Sequence, residues 1–572
     1  MLGNEAIARG VWEAGVTVVS SYPGTPSTEI TEFISLYDDI YSEWAPNEKV
    51  SLEVAIGASI AGARSMCAMK HVGVNVAADP LFTAAYTGVN GGLVVVVADD
   101  PGMHSSQNEQ DSRMYAKSAH IPMLEPADSS ECKEYVKYAY ELSERYDTPV
   151  MIRLTTRVAH SQSVVEPMEK SNFRLKEYKK DVMKYVMMPG MARKRHLMVE
   201  ERENALAEDA NNLWVNRIEE GNSDIGIITS GIAYQYAKDA FPDASFLKLG
   251  LVYPLPINMI KEFAKKVKTL IVVEELEPFI EEQIKKEQIS VIGKNLFTIQ
   301  GEYSVAMLKD KIKGKTLKPL EKDIEVLPAR PPVLCPGCPH RGTYHVIKKM
   351  GLTVCGDIGC YTLGALPPVS SIDACVCMGA SIGMAHGMDK ARGTEFAKNT
   401  VAVIGDSTFI HSGITALIDI VYNKGISTVL ILDNSITGMT GHQENPTTGK
   451  TIKGEPTKQV DLLKLVKAVG IDRVLVADPF DVKGFERIMK EETKAEEPSV
   501  IIVQRPCALL KGVKFEGIQK IDQEKCKKCK MCLKIGCPAI VENDGKIEIN
   551  KALCVGCKLC TKMCSFGAIS KQ

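Results

Sequence analysis

Thr400-Val-Ala-Val-Ile-Gly405-Asp406-Ser407 reads as a buried strand that stops at a Gly-Asp pair. An unbroken apolar run without polar alternation suits a strand covered on both faces, and such strands belong to parallel sheets. Asn434 follows Asp406 by 28 positions, at the end of the next apolar run, Ser427 to Leu432. Ligands of open parallel sheets bind beyond the carboxyl ends of the strands. A carboxylate, an amide oxygen and a nearby backbone carbonyl are hard oxygen donors, which magnesium takes together with diphosphate oxygens. A Gly-Asp pair alone also ends many ordinary βαβ turns; the Asn one crossover later makes the pairing more specific.

The same reading extends outward. Val16-Thr-Val-Val-Ser and the run Leu93 to Ala98 are buried strands between helical segments. Residues 1–165 are therefore one α/β domain. Residues 166–221 are charged and Met-rich, and are expected as a helical connector. Strands Asp224 to Ser230 and Thr269 to Val273 place a smaller α/β unit over 222–315. Thr316 to Pro332 reads as a linker, and the strand quoted above belongs to an α/β unit over 333–510. Residues 520–572 form a Cys-rich α+β tail.

The chain has 572 residues, too many for one core. Its net charge of −2 gives no sign of a nucleic-acid or membrane-surface partner. Arg193, Lys194 and Arg195 lie among Glu residues and are expected on a solvated helix face. No apolar run reaches the ~18–20 residues that cross a bilayer. The start, Met1-Leu-Gly-Asn-Glu, lacks a basic region followed by an apolar one, so a cytoplasmic location is expected.

Eight of the 17 cysteines fall between Cys526 and Cys564. Clustered cysteines in a reducing compartment hold metal more often than disulfides. The spacing is Cys526-x2-Cys529-x2-Cys532-x4-Cys537-Pro538, then Cys554-x2-Cys557-x2-Cys560-x3-Cys564. In two-cluster folds the fourth thiolate of each motif serves the other cluster. By that rule Cys526, Cys529, Cys532 and Cys564 hold one [4Fe–4S] cluster, and Cys537, Cys554, Cys557 and Cys560 the second. A pair of zinc sites is the competing reading, but zinc ribbons do not need this interleaving. Between the halves, Ile540 to Ile549 alternates around Asp544-Gly545, a hairpin signal.

The tail resembles bacterial two-cluster ferredoxins, with four residues rather than three before Cys537 and Ser565 where Pro is usual. The strand motif resembles the thiamine diphosphate signature, with Ser407 in place of its second Gly and Asp433 in place of its first Asn. That resemblance assigns Mg2+ to Asp406, Asn434 and the backbone of Ile436, beside Gly405 and Ser407. It also lets a helix beginning near His411 present its N-terminal amides to the phosphates. Thiamine enzymes further use a glutamate that hydrogen-bonds the aminopyrimidine. Glu53, nine residues before Gly62 in a small-residue helix, matches that spacing; a surface helix acid is the plainer alternative.

Further motifs place the chain near the 2-oxoacid:ferredoxin oxidoreductases. Ser20-Ser-Tyr-Pro-Gly-Thr-Pro-Ser27 is similar to their substrate loop, in which Thr25 matches the substrate-contacting Thr. Met69 to Pro80, Ala98 to Asp111 and Gly438-Met-Thr-Gly-His442 resemble the indolepyruvate branch. The family resemblance implies several parallel-sheet thiamine-enzyme domains with a C-terminal ferredoxin-like domain. The implied activity is oxidative decarboxylation of arylpyruvates (indolepyruvate, phenylpyruvate, hydroxyphenylpyruvate) to aryl-acetyl-CoA, with ferredoxin reduced. It also implies a separate smaller β subunit carrying the γ-type domain, in a heterodimer or heterotetramer. A pyruvate- or 2-oxoglutarate-type enzyme, a non-redox thiamine decarboxylase and an electron-transfer adaptor with a dead thiamine site are the alternatives. The fused tail argues against the decarboxylase, and retention of Glu53, Asp406 and Asn434 against the adaptor.

Cys335-Pro-Gly-Cys338, Cys360 and Cys507 remain. In pyruvate oxidoreductases a similar set holds a cluster beside thiamine. Three readings stay open: a third [4Fe–4S] cluster, residual cysteines packing as small thiols, and a zinc site or redox pair. Cys355, Cys375 and Cys377 are expected in the core.

Overall fold

A computed structural model describes residues 1–313 and 331–572. The expected linker over 316–332 lies almost wholly outside the described residues. The chain divides into two compact units, Met1–Ile324 and Glu325–Gln572.

The first unit holds two sheets. Val18–Ser21 (β1), Tyr41–Trp44 (β2), Ser65–Lys70 (β3), Leu93–Asp99 (β4), Met123–Leu124 (β5) and Val150–Thr155 (β6) build the larger. Arg217–Glu219 (β7), Asn222–Ser230 (β8), Ala244–Leu249 (β9) and Thr269–Val273 (β11) build the smaller, while Leu251–Tyr253 (β10) leaves it to join the first. The orders are β10-β5-β6-β4-β3-β1-β2 and β11-β8-β9-β7. All pairs are parallel except β10 with β5 and β7 with β9.

β4 shows why its sequence has no alternation. Val94, Val96 and Ala98 pack into the core on one face, and Leu93, Val95 and Val97 into the core on the other. Side chains alternate across a strand, so a strand buried on both faces must be apolar at every position.

The connector region is only partly helical. Helix Pro189–Asp209 lies within it, and β7 sits at its end as an edge strand. Arg195 is not on the solvated face. It is 5% exposed, donates to Asp147 Oδ2 at 2.8 Å and also bonds the Tyr86 carbonyl. Arg193 and Lys194 do face solvent; one helical step turns Arg195 inward, where an ion pair compensates its charge.

In the second unit Thr353–Cys355 (β12), Thr400–Gly405 (β13), Thr428–Asp433 (β14), Arg473–Ala477 (β15) and Ser499–Gln504 (β16) form a parallel sheet in the order β12-β13-β14-β16-β15. β13 divides as β4 does, with Val401 and Val403 on one face and Ala402 and Ile404 on the other. The tail adds Gln519–Ile521 (β17) paired with Ile569–Lys571 (β20), and the hairpin Ile540–Asn543 (β18) with Lys546–Ile549 (β19). Asp544 and Gly545 turn that hairpin at φ 47° and 70°, the positive values its two-residue turn requires. Among the described residues no helix is long and apolar enough to cross a membrane.

Candidate functional site

β13 and β14 are neighbours, with Gly405 opposite Leu432. Asp406 and the Asp433-Asn434 pair therefore leave the sheet side by side. Gly405 cannot carry a side chain, because a Cβ there would stand 2.6 Å from the Tyr361 ring. No loop separates strand from helix. Helical residues begin at Asp406, and a π segment, Phe409–Gly413, joins them to helix Ile414–Tyr422. The helix thus starts earlier than expected. His411 is in its second turn, 4% exposed and bonded to Ser412; the first turn, Asp406–Thr408, lies ahead of it, and there the Ser407 amide donates to the Asp406 carboxyl.

Asp406 is 3% exposed and accepts a 3.0 Å hydrogen bond from Thr447 Oγ1. Burial, then the like charge of Asp433, pushes its carboxyl up to about 7. Asn434 is buried, and its Oδ1 accepts from the Ile436 amide at 3.3 Å. Asp433 spends its carboxylate locally, accepting from the Ser435 amide at 3.0 Å and Gln504 Nε2 at 2.8 Å. Ser435 sits at φ 59°, a strained turn of the kind that collects at working sites. A buried carboxyl beside a second carboxylate, with an amide oxygen adjacent, fits a divalent cation, which would supply the missing positive charge.

Sequence reasoning missed several parts of this pocket. Thr447 and Asn445 reach Asp406 from a loop 40 residues downstream, with the Thr447 hydroxyl and amide both bonded to Asn445 Oδ1. Asp357, fully buried, accepts the amides of Gly379 at 2.7 Å and Ser381 at 3.0 Å. Only the three-dimensional neighbourhood gives these residues a role; no local spacing marks them.

The eight tail cysteines stand around two cavities. One is lined by Cys526, Cys529, Cys532 and Cys564, the other by Cys537, Cys554, Cys557 and Cys560. Among the described residues no three His, Cys, Asp or Glu side chains close on a single metal ion. Four thiols around one cavity are the donor set that an iron–sulfur cubane takes.

Cys335, Cys338, Cys360 and Cys507 also come together. Cys360 neighbours Cys335 and Cys507, and Cys338 neighbours Cys335 and Cys360. This group adjoins the Asp406 pocket: the Cys507 amide donates to the Asn434 carbonyl at 2.9 Å, and Gly438 backs onto Cys360 Sγ. Arg341 connects it to the tail. Its Nε donates to the Cys335 carbonyl and its Nη1 to the Ile535 carbonyl, both at 3.0 Å. Cys355 is buried as expected, but Cys375 is half-buried and Cys377 exposed. The segment holding both leaves the sheet after a single bridge, Cys355 with Ala374, and Val376 between them is 61% exposed.

In the first unit, Thr25 lies in the loop after β1, partly exposed at the strand's carboxyl end. Lys70 ends β3 beside it, stem packed on Gly24, with Nζ donating to the Ser105 carbonyl at 2.8 Å. Burial lowers this ammonium to about 8. Two acids of the Ala98–Asp111 motif serve buried arginines. Asp99 pairs with buried Arg153 at 2.6 Å and Asp111 with buried Arg113 at 2.6 Å. Glu53 lies on the outer face of helix Glu48–Ile60, 43% exposed and bonded to Lys49.

Residues 357–503 match the family described as thiamine pyrophosphate enzyme, C-terminal TPP binding domain. Residues 9–218 match pyruvate flavodoxin/ferredoxin oxidoreductase, thiamine diP-bdg, and 547–570 match 4Fe-4S binding domain. The chain is 40% identical to indolepyruvate oxidoreductase subunit IorA of Archaeoglobus fulgidus, over 100% of this chain and 97% of that protein. It is also 40% identical to the same subunit of Pyrococcus horikoshii, over 100% and 96%. A solved 2-oxoglutarate:ferredoxin oxidoreductase from Magnetococcus marinus aligns with TM-score 0.47 at 19% identity, covering 55% of this chain and 64% of that one.

Proposed function

The chain belongs to the family of indolepyruvate oxidoreductase IorA subunits, and from that premise we propose that it oxidatively decarboxylates arylpyruvates to aryl-acetyl-CoA, passing the electrons to ferredoxin. Its thiamine and [4Fe–4S] domains equip it for ferredoxin-dependent 2-oxoacid oxidoreduction. One observation carries the reading. Within a single compact unit, the Asp406 pocket, the Cys335 group and the two tail cavities follow one another, joined by Asn434, Arg341 and the adjacency of Cys560 to Cys532.

Bound thiamine diphosphate supplies the electron sink that decarboxylation of a 2-oxo acid needs. Asp406, Asn434 and the Ile436 backbone would hold its Mg2+. Gly405, Ser407 and the first helical turn would lie against the diphosphate at the positive end of the helix, with His411 behind them in the second turn. Glu53 would hold and return a proton at the aminopyrimidine, and Thr25 would position the substrate beside the Lys70 ammonium. Coenzyme A would take the acyl group. Relatives named as a subunit imply a partner, here a smaller γ-type subunit in a heterodimer or heterotetramer. We place the reaction in the cytoplasm, where all 17 cysteines, free in the structure, stay reduced.

The holoenzyme's kcat/KM for indolepyruvate, phenylpyruvate, pyruvate and 2-oxoglutarate tests the substrate class. Arylpyruvates should lead by at least about tenfold, a difference of about 1.4 kcal/mol that filling an apolar pocket readily supplies. A preference for pyruvate or 2-oxoglutarate would overturn it.

We also assign a third cluster to Cys335, Cys338, Cys360 and Cys507, between the Asp406 pocket and the tail. Anaerobic iron analysis should give about twelve irons per chain, and about eight in the Cys335→Ala/Cys338→Ala double variant. Equal iron in both proteins would return these thiols to packing.

A further inference from the structure

Lys525, Lys527, Lys528, Lys530 and Lys534 are interspersed with Cys526, Cys529 and Cys532 in one short loop. All five lysines face solvent, and Cys529 is itself exposed. Beside the loop opens a cleft of about 760 Å³ lined by Lys348, Lys349, Lys483, Lys534 and Lys562. The two carboxylates in that lining are engaged: Glu486 pairs with Lys349 at 2.6 Å and Lys490 at 2.8 Å, and Asp481 caps the next helix. Lys525 and Lys530 pair with Asp522 and Glu542. Among the described residues Lys527, Lys528, Lys534 and Lys562 have no ion-pair partner. The chain as a whole is balanced, with 69 basic and 71 acidic residues, so this cation surplus is local. Within it two apolar side chains are bare, Met531 at 39% and Phe566 at 49% exposure. Apolar side chains left bare among cations suit a docking face, and the charge sets the partner's sign and approach.

We propose that this face docks the acidic one-electron carrier, so that electrons leave through the cluster assigned to Cys526, Cys529, Cys532 and Cys564. The proposal rests on ferredoxin being the acceptor. Each docking moves one electron from the reduced cluster to an oxidised carrier, and two carriers are reduced per 2-oxo acid decarboxylated.

The test uses the holoenzyme with Lys527→Glu/Lys528→Glu and Lys534→Glu/Lys562→Glu, and Lys464→Glu/Lys467→Glu, off this face, as a charge-matched control. Ferredoxin KM should rise at least tenfold in the first two and less than twofold in the control. Iron content and turnover with a small viologen acceptor should stay within twofold of the parent. Ferredoxin reduction by the parent should slow as salt rises, and less so in the variants. Parent-like ferredoxin KM in variants that keep their iron would overturn the assignment. Should a variant lose iron, carbodiimide cross-linking of parent and ferredoxin decides: links at these lysines support the proposal and links only elsewhere refute it. An oligonucleotide that binds this face while ferredoxin KM is unmoved would also refute it. A parent that turns over no 2-oxo acid with viologen would sink the functional reading instead, and cross-linking would still test the face.

Discussion

Asp406→Ala is expected to purify as a folded chain that retains no thiamine diphosphate and shows no measurable turnover. The carboxyl is the one charged donor of the proposed Mg2+ site, and the neighbouring Asp433 carboxylate is already held by the Ser435 amide and Gln504. The metal-free fold should not suffer. Folding raises this group from 3.8 to about 7, so its contribution to stability is full below pH ~4 and lost as pH rises through 7. That shift corresponds to a cost of roughly 4 kcal/mol above neutrality, against about 1–3 kcal/mol for the hydrogen bond lost from Thr447. At pH 8 without metal, the variant's Tm should equal or exceed the parent's. Adding Mg2+ with thiamine diphosphate should raise the parent's Tm alone. Thiamine content equal to the parent's would remove Asp406 from the site.

Glu53→Gln is expected to keep thiamine diphosphate and lose 10²- to 10⁴-fold in turnover, the range for removing a proton-transfer group. The two readings of Glu53 differ enough in size to separate cleanly. As a surface partner of Lys49 it would contribute little, because solvent screens an exposed ion pair, and turnover would hardly change. Lys49→Met supplies the control, because it breaks the same ion pair and leaves the carboxylate. Near-parent turnover by Glu53→Gln, or an equal loss in Lys49→Met, would contradict the proton-transfer role.

The sheets were legible because both-face burial writes itself as unbroken apolar sequence, as at Leu93–Asp99 and Thr400–Gly405. The tail was legible because its cysteines are close in sequence. What escaped notice depends on contacts between distant segments. Asn445 and Thr447 look like any polar loop until they reach Asp406. Arg195 looked like one of three solvated cations until Asp147 received it, and the small residues around Cys377 looked like core until the segment left the sheet. Asp99 and Asp111 carried a family motif yet serve buried arginines, so motif membership did not separate structural from chemical roles. Helix onset at Asp406 was hidden because a strand can pass straight into a helix without the loop that usually announces one.

β10 has a consequence for how the protein is made. The first large sheet ends at β5, and the strand that covers β5 is Leu251–Tyr253, more than a hundred residues later. During synthesis on the ribosome the sheet therefore stays open on that side until residue 253 has emerged. An open edge of this kind recruits strands from other chains. A gene split between the β6 and β8 segments would yield an amino-terminal fragment that aggregates when expressed alone and becomes soluble when the second fragment is co-expressed.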